Sequence, residues 1–106
     1  MKESLAKRLF ELLPLLTAIE NRERIKKDMG EVNKQVFMFK EKNKYVNIDI
    51  CPVGYGNGSG CWMIDKETGD VFNIKGYGQV DKKKNLGNIF TIDPEFLYSK
   101  RWNYLR

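Results

Sequence analysis

The residues of this chain that could do chemistry are tyrosines set between glycines, a run of three lysines and two cysteines; histidine is absent. Without histidine there is no Ser–His or Cys–His nucleophile pair and no imidazole metal ligand. Cys51 and Cys61 supply two thiols where a closed zinc site needs four ligands, so no metal and no cofactor is expected. Nothing in the sequence points to an oxidising compartment, and the two cysteines read as free, mostly buried thiols.

Three segments could instead bind. In residues 54–60 glycine alternates with Tyr55, Asn57 and Ser59. Backbone N–H groups of such a loop can wrap phosphate. The Gly-Lys-Ser/Thr of a P-loop is missing, however, and no helix start follows. The segment therefore reads as a link between strands, with Tyr55 and Asn57 as its binding candidates. Residues 75–84 read Lys-Gly-Tyr-Gly-Gln-Val-Asp-Lys-Lys-Lys. Here Tyr77 could stack on a base, Gln79 could hydrogen-bond, and Lys82, Lys83 and Lys84 could hold phosphates. A solvated turn is the plainer reading of the same residues. At the C-terminal end Arg101 and Trp102 follow Tyr98, a mix typical of binding hot spots. The same aromatics could equally close a small core.

Charge is partitioned along the chain. The net charge is +5, but residues 1–21 are neutral and residues 22–44 carry eight basic against four acidic groups. Residues 45–74 hold Lys66 against Asp49, Asp65, Glu67 and Asp70, and residues 75–106 hold seven basic against three acidic groups. Two basic segments flanking an acidic middle can make a dipolar surface that draws a polyanion to one side.

The elements that must position these residues follow from periodicity. Leu5, Leu9, Leu12, Leu16 and Ile19 recur at helical spacing, widened by Leu13 and Leu15, with Ser4 as N-cap. Pro14 interrupts this stripe and predicts a kink or a break into two helices. Residues 36–39 and 45–50 read as a hairpin, as do residues 61–65 and 71–75 around Lys-Glu-Thr-Gly-Asp, where Gly and Asp suit a tight turn. Asp93-Pro94-Glu95 has the N-cap and N1 residues of a helix start. The expectation is a single α+β domain over residues 1–106: an N-terminal helix on a four- to five-stranded antiparallel sheet, and a short C-terminal helix. No apolar run reaches the length needed to cross a bilayer. The opening Met1-Lys2-Glu3-Ser4 lacks secretory features, so a cytoplasmic protein is expected.

The run from Cys61 to Phe72, with Asp65, Thr68-Gly69-Asp70, then Lys75-Gly76-Tyr77-Gly78 and Leu86-Gly87-Asn88-Ile89, resembles small uncharacterised phage-encoded proteins over the C-terminal half. The resemblance implies a phage or mobile-element origin, action in the host cell cytoplasm, and no activity to carry over.

Together these features predict a small non-catalytic binding protein whose partner is nucleic acid or a host or virion protein, with no membrane partner and no small-molecule cofactor. Three other readings stand beside it. One is an inhibitor of a host defence complex acting by protein contact, and another is a self-associating virion subunit. The last is a histidine-free, toxin-like ribonuclease using Tyr77, Lys82, Arg101 and Tyr104 to position and polarise phosphate.

Overall fold

The computed structural model describes residues 1–26, 34–54 and 58–101. The elements run α1 (Glu3–Lys26), β1 (Gln35–Glu41), β2 (Tyr45–Pro52), β3 (Ser59–Asp65), β4 (Asp70–Gly76), β5 (Gln79–Asn88) and α2 (Pro94–Ser99). The five strands form one antiparallel sheet in the order β1-β2-β3-β4-β5, each joined to the next in sequence. This is the α+β arrangement that the periodicity predicts.

Helix α1 buries Leu5, Leu9, Leu12, Leu13, Leu16 and Ile19 on one side, while Leu15 lies outside the buried stripe and is exposed. The helix is unbroken at Pro14. Pro14 sits on the exposed side, and the carbonyl that it leaves unbonded belongs to Phe10, also exposed, so water can satisfy that group. Ser4 is not the N-cap: the helix starts one residue earlier, and the first bond runs from the Ala6 N–H to the Lys2 carbonyl. Along β1, the Phe37 N–H donates to Thr17 Oγ1 on α1 at 3.1 Å.

The leucines of α1 pack on Phe37, Val46, Ile48, Ile50, Trp62, Ile64 and Val71 of the sheet, with Ile89, Ile92 and Leu97 closing the same cluster. Phe37 stacks on Trp62 with ring centroids 5.7 Å apart and meets Tyr98 edge-on. Each fully buried leucine of this kind is worth about 2–5 kcal/mol against alanine. Arg8 ties the return segment to the helix by donating to the Ile89 and Ile92 carbonyls. At α2 the Asp93 carboxylate accepts from the Phe96 N–H with Pro94 in the first turn, as the sequence anticipates.

Turn chemistry fixes the β3–β4 hairpin. Asp65 Oδ1 accepts from the Glu67 and Thr68 N–H groups, and Thr68 Oγ1 accepts from the Asp70 N–H. Gly69 stands at φ +79°, and a side chain there would also press on Phe90 and Asn88. Between Ile48 and Asp49 the β2–β3 register shifts: Ile48 opposes Trp62 and Asp49 opposes Gly60, leaving Cys61 as the extra residue of a bulge. Cys61 and Trp62 therefore both enter the helix-side core. Asn47, Asp49, Gly60, Met63 and Ile74 take the opposite, outer face. No helix among the described residues is long and apolar enough to cross a membrane.

Candidate functional site

Strands β4 and β5 meet at a two-residue turn, Tyr77-Gly78, where Gly76 opposes Gln79 and Gly78 stands at φ +76° with open space around it. Gly78 supplies the positive φ that such a turn requires. The pairing then lapses. Ile74 opposes Val80 and Phe72 opposes Asn85, so two steps along β4 correspond to five along β5. Asp81, Lys82, Lys83 and Lys84 thus stand across from Asn73 alone, a surplus of three residues, and the three lysines are exposed. Asp81 Oδ1 accepts from the Lys83 N–H at 3.2 Å and shapes this excursion from within. None of the three ammonium groups forms an ion pair with a carboxylate among the described residues. The lysine run is thus part of an edge strand rather than a loop beyond it, displaced from the ladder by its own length.

Tyr77 does not stand free of the sheet. It reaches across the outer face, and its hydroxyl donates to Asp49 Oδ2 at 3.1 Å. On the way the ring passes Gly60, where a Cβ would lie 3.3 Å from Tyr77 Cδ2 and 3.0 Å from Ile74 Cδ1. Glycine at position 60 gives the ring its room. Even so seated, Tyr77 keeps 57% of its surface exposed. Gln79 is also exposed, with its amide oxygen beside Gly76.

Asp49 itself is 3% exposed. Burial pushes its carboxyl above the ordinary range, opposed by the Tyr77 hydroxyl and by the ammonium groups of Lys40 and Lys42. Lys40 Nζ stands 4.0 Å from Oδ2, while Oδ1 and the neighbouring Asn47 Oδ1 are buried with no hydrogen-bond partner. The alternation of β2 puts Asn47 and Asp49 on the face away from the leucines, which the sequence signals. Nothing in the sequence signals that Tyr77 would close over them.

The other candidates fall elsewhere. Tyr55, Asn57, Trp102 and Tyr104 lie outside the described residues. Arg101 is buried on the helix side, with its Nη1 donating to Glu20 Oε1 and Oε2 at 3.2 and 3.0 Å. The Tyr98 hydroxyl donates to the same carboxylate. So placed, the Arg101 guanidinium braces the end of α2 against α1 and is not offered to an external phosphate. Tyr77 and Arg101, weighed together for RNA cleavage, are held on opposite faces of the sheet.

Cys51 and Cys61 are unpaired and buried. Burial pushes the Cys61 thiol up to about 12 and raises Cys51 as well. No group of three His, Cys, Asp or Glu residues able to hold a metal ion occurs among the described residues. An apolar groove of about 470 Å³ lies between α1 and β1 and is lined by Phe10, Pro14, Met38 and Phe39 among others.

Comparison of the chain with protein-family models, with curated proteins and with solved structures finds no match.

Proposed function

We propose that this protein is a non-catalytic binding module that holds nucleic acid through its β4–β5 hairpin. The observation that carries this reading is the β5 excursion. It sets Lys82, Lys83 and Lys84 outside the ladder, exposed and without carboxylate partners among the described residues, a few residues from the exposed Tyr77 and Gln79. Ammonium groups neutralise phosphates and release condensed counterions, and this supplies most of the affinity of sequence-independent binding. The acidic turn formed by Asp65, Glu67 and Asp70 lies at the start of β4, whereas the lysines stand out opposite the middle of that strand, between Phe72 and Ile74. A polyanion would be drawn to the lysines and kept off the acidic turn.

The test is binding of a fluorescent oligonucleotide at about 50 and 200 mM salt. Affinity should fall steeply with salt. The triple substitution Lys82→Ala/Lys83→Ala/Lys84→Ala should lower the logarithmic salt slope by about 2, since each single-strand phosphate contact contributes roughly 0.7. Absence of binding at the lower salt would end the reading. Equally tight binding of polyglutamate, which tests for an acidic protein partner in place of nucleic acid, would redirect it to protein.

A further inference from the structure

We infer that the β4–β5 hairpin takes single-stranded nucleic acid, with an unpaired base stacked on Tyr77, and that Asp49 and Gly60 are the positioning residues that hold the ring ready. The inference rests on the nucleic-acid reading above and adds the strand state and the seat of one base.

The geometry supports it in three steps. An aromatic ring stacks well on a base only if it is exposed, and little is lost on binding if it is already immobile. Tyr77 meets both conditions. Its main chain is held in a two-residue turn, its hydroxyl is tied to a buried carboxylate on β2, and over half of its surface remains open. A tyrosine displayed for solubility alone would have no use for a buried Asp49 as its anchor. The charge of that carboxylate strengthens the O–H···O bond compared with a neutral pair.

The second step is the space at Gly60. A methyl group there would lie 3.0 Å from Ile74 Cδ1 and 3.3 Å from Tyr77 Cδ2, tighter than ordinary contact, so the Ile74 tip and the ring would have to give by a few tenths of an ångström and larger side chains would press the ring further. Gly60 falls opposite Asp49 because of the bulge at Cys61. The bulge thus puts the residue without a side chain and the residue that anchors the hydroxyl side by side, under one ring.

The third step is reach. Lys82 follows Tyr77 by five residues, a span of at most about 18 Å of extended chain, so the phosphates of a strand whose base sits on Tyr77 come within a few nucleotides of the lysines. In a duplex the bases are already stacked and paired, and a lone ring at a hairpin tip has no face to offer them. An unpaired base has one, whatever its identity, so the site should be tolerant of sequence.

The experiment compares three probes with equal numbers of phosphates: a thymine single strand, the same strand made abasic, and a duplex of half the length. The triple lysine substitution should weaken all three. Tyr77→Leu should weaken the thymine strand by about 5- to 150-fold, the range expected for one lost stack, and leave the abasic strand unchanged. Gly60→Ala and Tyr77→Phe should each lose part of the preference for thymine over abasic strand, a ratio that general destabilisation does not alter. If Tyr77→Leu costs both single strands equally while lysine-dependent binding persists, the stacking inference falls and the nucleic-acid reading survives. If none of the probes binds at low salt, both fall. A duplex bound more tightly than the thymine strand would overturn the assignment to single strands, and wild-type thymine preference in Gly60→Ala would overturn the seating of the ring.

Discussion

Two buried carboxylates on opposite faces of one sheet each receive a tyrosine hydroxyl, and they are otherwise unalike. Glu20, 4% exposed, has both oxygens engaged by Arg101 and Tyr98, with Arg24 Nε 3.7 Å away. Asp49, 3% exposed, has one oxygen shared between Tyr77 and a distant Lys40, and the other unpartnered. The first carboxylate is fully partnered and joins helix to helix, although Arg24 Nε beside it is buried without a hydrogen-bond partner. The second is under-satisfied and ends in an exposed ring. A buried ion pair complete in its hydrogen bonds fixes geometry, whereas a carboxylate left short of partners costs stability. Such a cost is tolerated where the group holds something in place for a use beyond folding, and on that ground the Asp49 face is the one to examine for function.

The comparison can be broken first at Glu20. Arg101→Ala should destabilise the protein by about 3–5 kcal/mol, because it strands a buried charge. Urea unfolding would show it, and a shift below about 1 kcal/mol would mean that the Glu20–Arg101 pair is not formed in solution. The next effect is chemical. Cys61, on the helix side, has its thiol pushed up to about 12 by burial, from an ordinary value of 9. At pH 8 its thiolate fraction should fall on the order of a thousandfold below that of an unfolded cysteine, since each pH unit is a factor of ten. Mass-spectrometric alkylation should therefore find Cys61 protected in the native protein and modified in denaturant. Rapid native labelling would contradict the burial on that face.

The smallest effect is at Asp49, and its sign is opposite. Its carboxyl is raised in the folded state, so the charged form carries the full cost of burial above the folded value. As pH falls through that value toward the usual 3.8, the folded state takes up the proton first and the cost is relieved. Asp49→Asn keeps an acceptor for Tyr77 and removes the charge. It should change stability at neutral pH by less than about 1.5 kcal/mol, in the stabilising direction, and its advantage over wild type should shrink as the solution is acidified. A loss of several kcal/mol would show instead that Lys40 and Lys42 satisfy the carboxylate.

Much of the fold is legible locally. The leucine stripe, the Asp65-to-Asp70 turn and the Asp93 cap each depend on residues within a few positions of one another, and each forms as their chemistry dictates. Continuity through Pro14 is not legible, because it depends on which side of the helix faces water. The site is legible only in part. Tyr77, Gln79 and the lysines stand out by type, but the bond from Tyr77 to Asp49 spans 28 residues and that from Arg101 to Glu20 spans 81. The first follows from the sheet register and its bulge, the second from the packing of the end of α2 against α1. A one-residue shift in register turns every side chain to the other face, and no local pattern marks where the shifts occur.

The Thr17 hydroxyl and the β5 excursion have a joint consequence for the company that the protein keeps with itself. An open antiparallel sheet ends in two rims of unpaired backbone groups, each a template on which another chain could extend the ladder. At one rim Thr17 occupies the Phe37 N–H from the helix; at the other, three lysines push β5 out of regular pairing and repel a like-charged copy. Both features work against further strand pairing at the rims. The lysines that would meet phosphate thus also stand on the rim where another copy would have to add its strand, and their charge disfavours that approach.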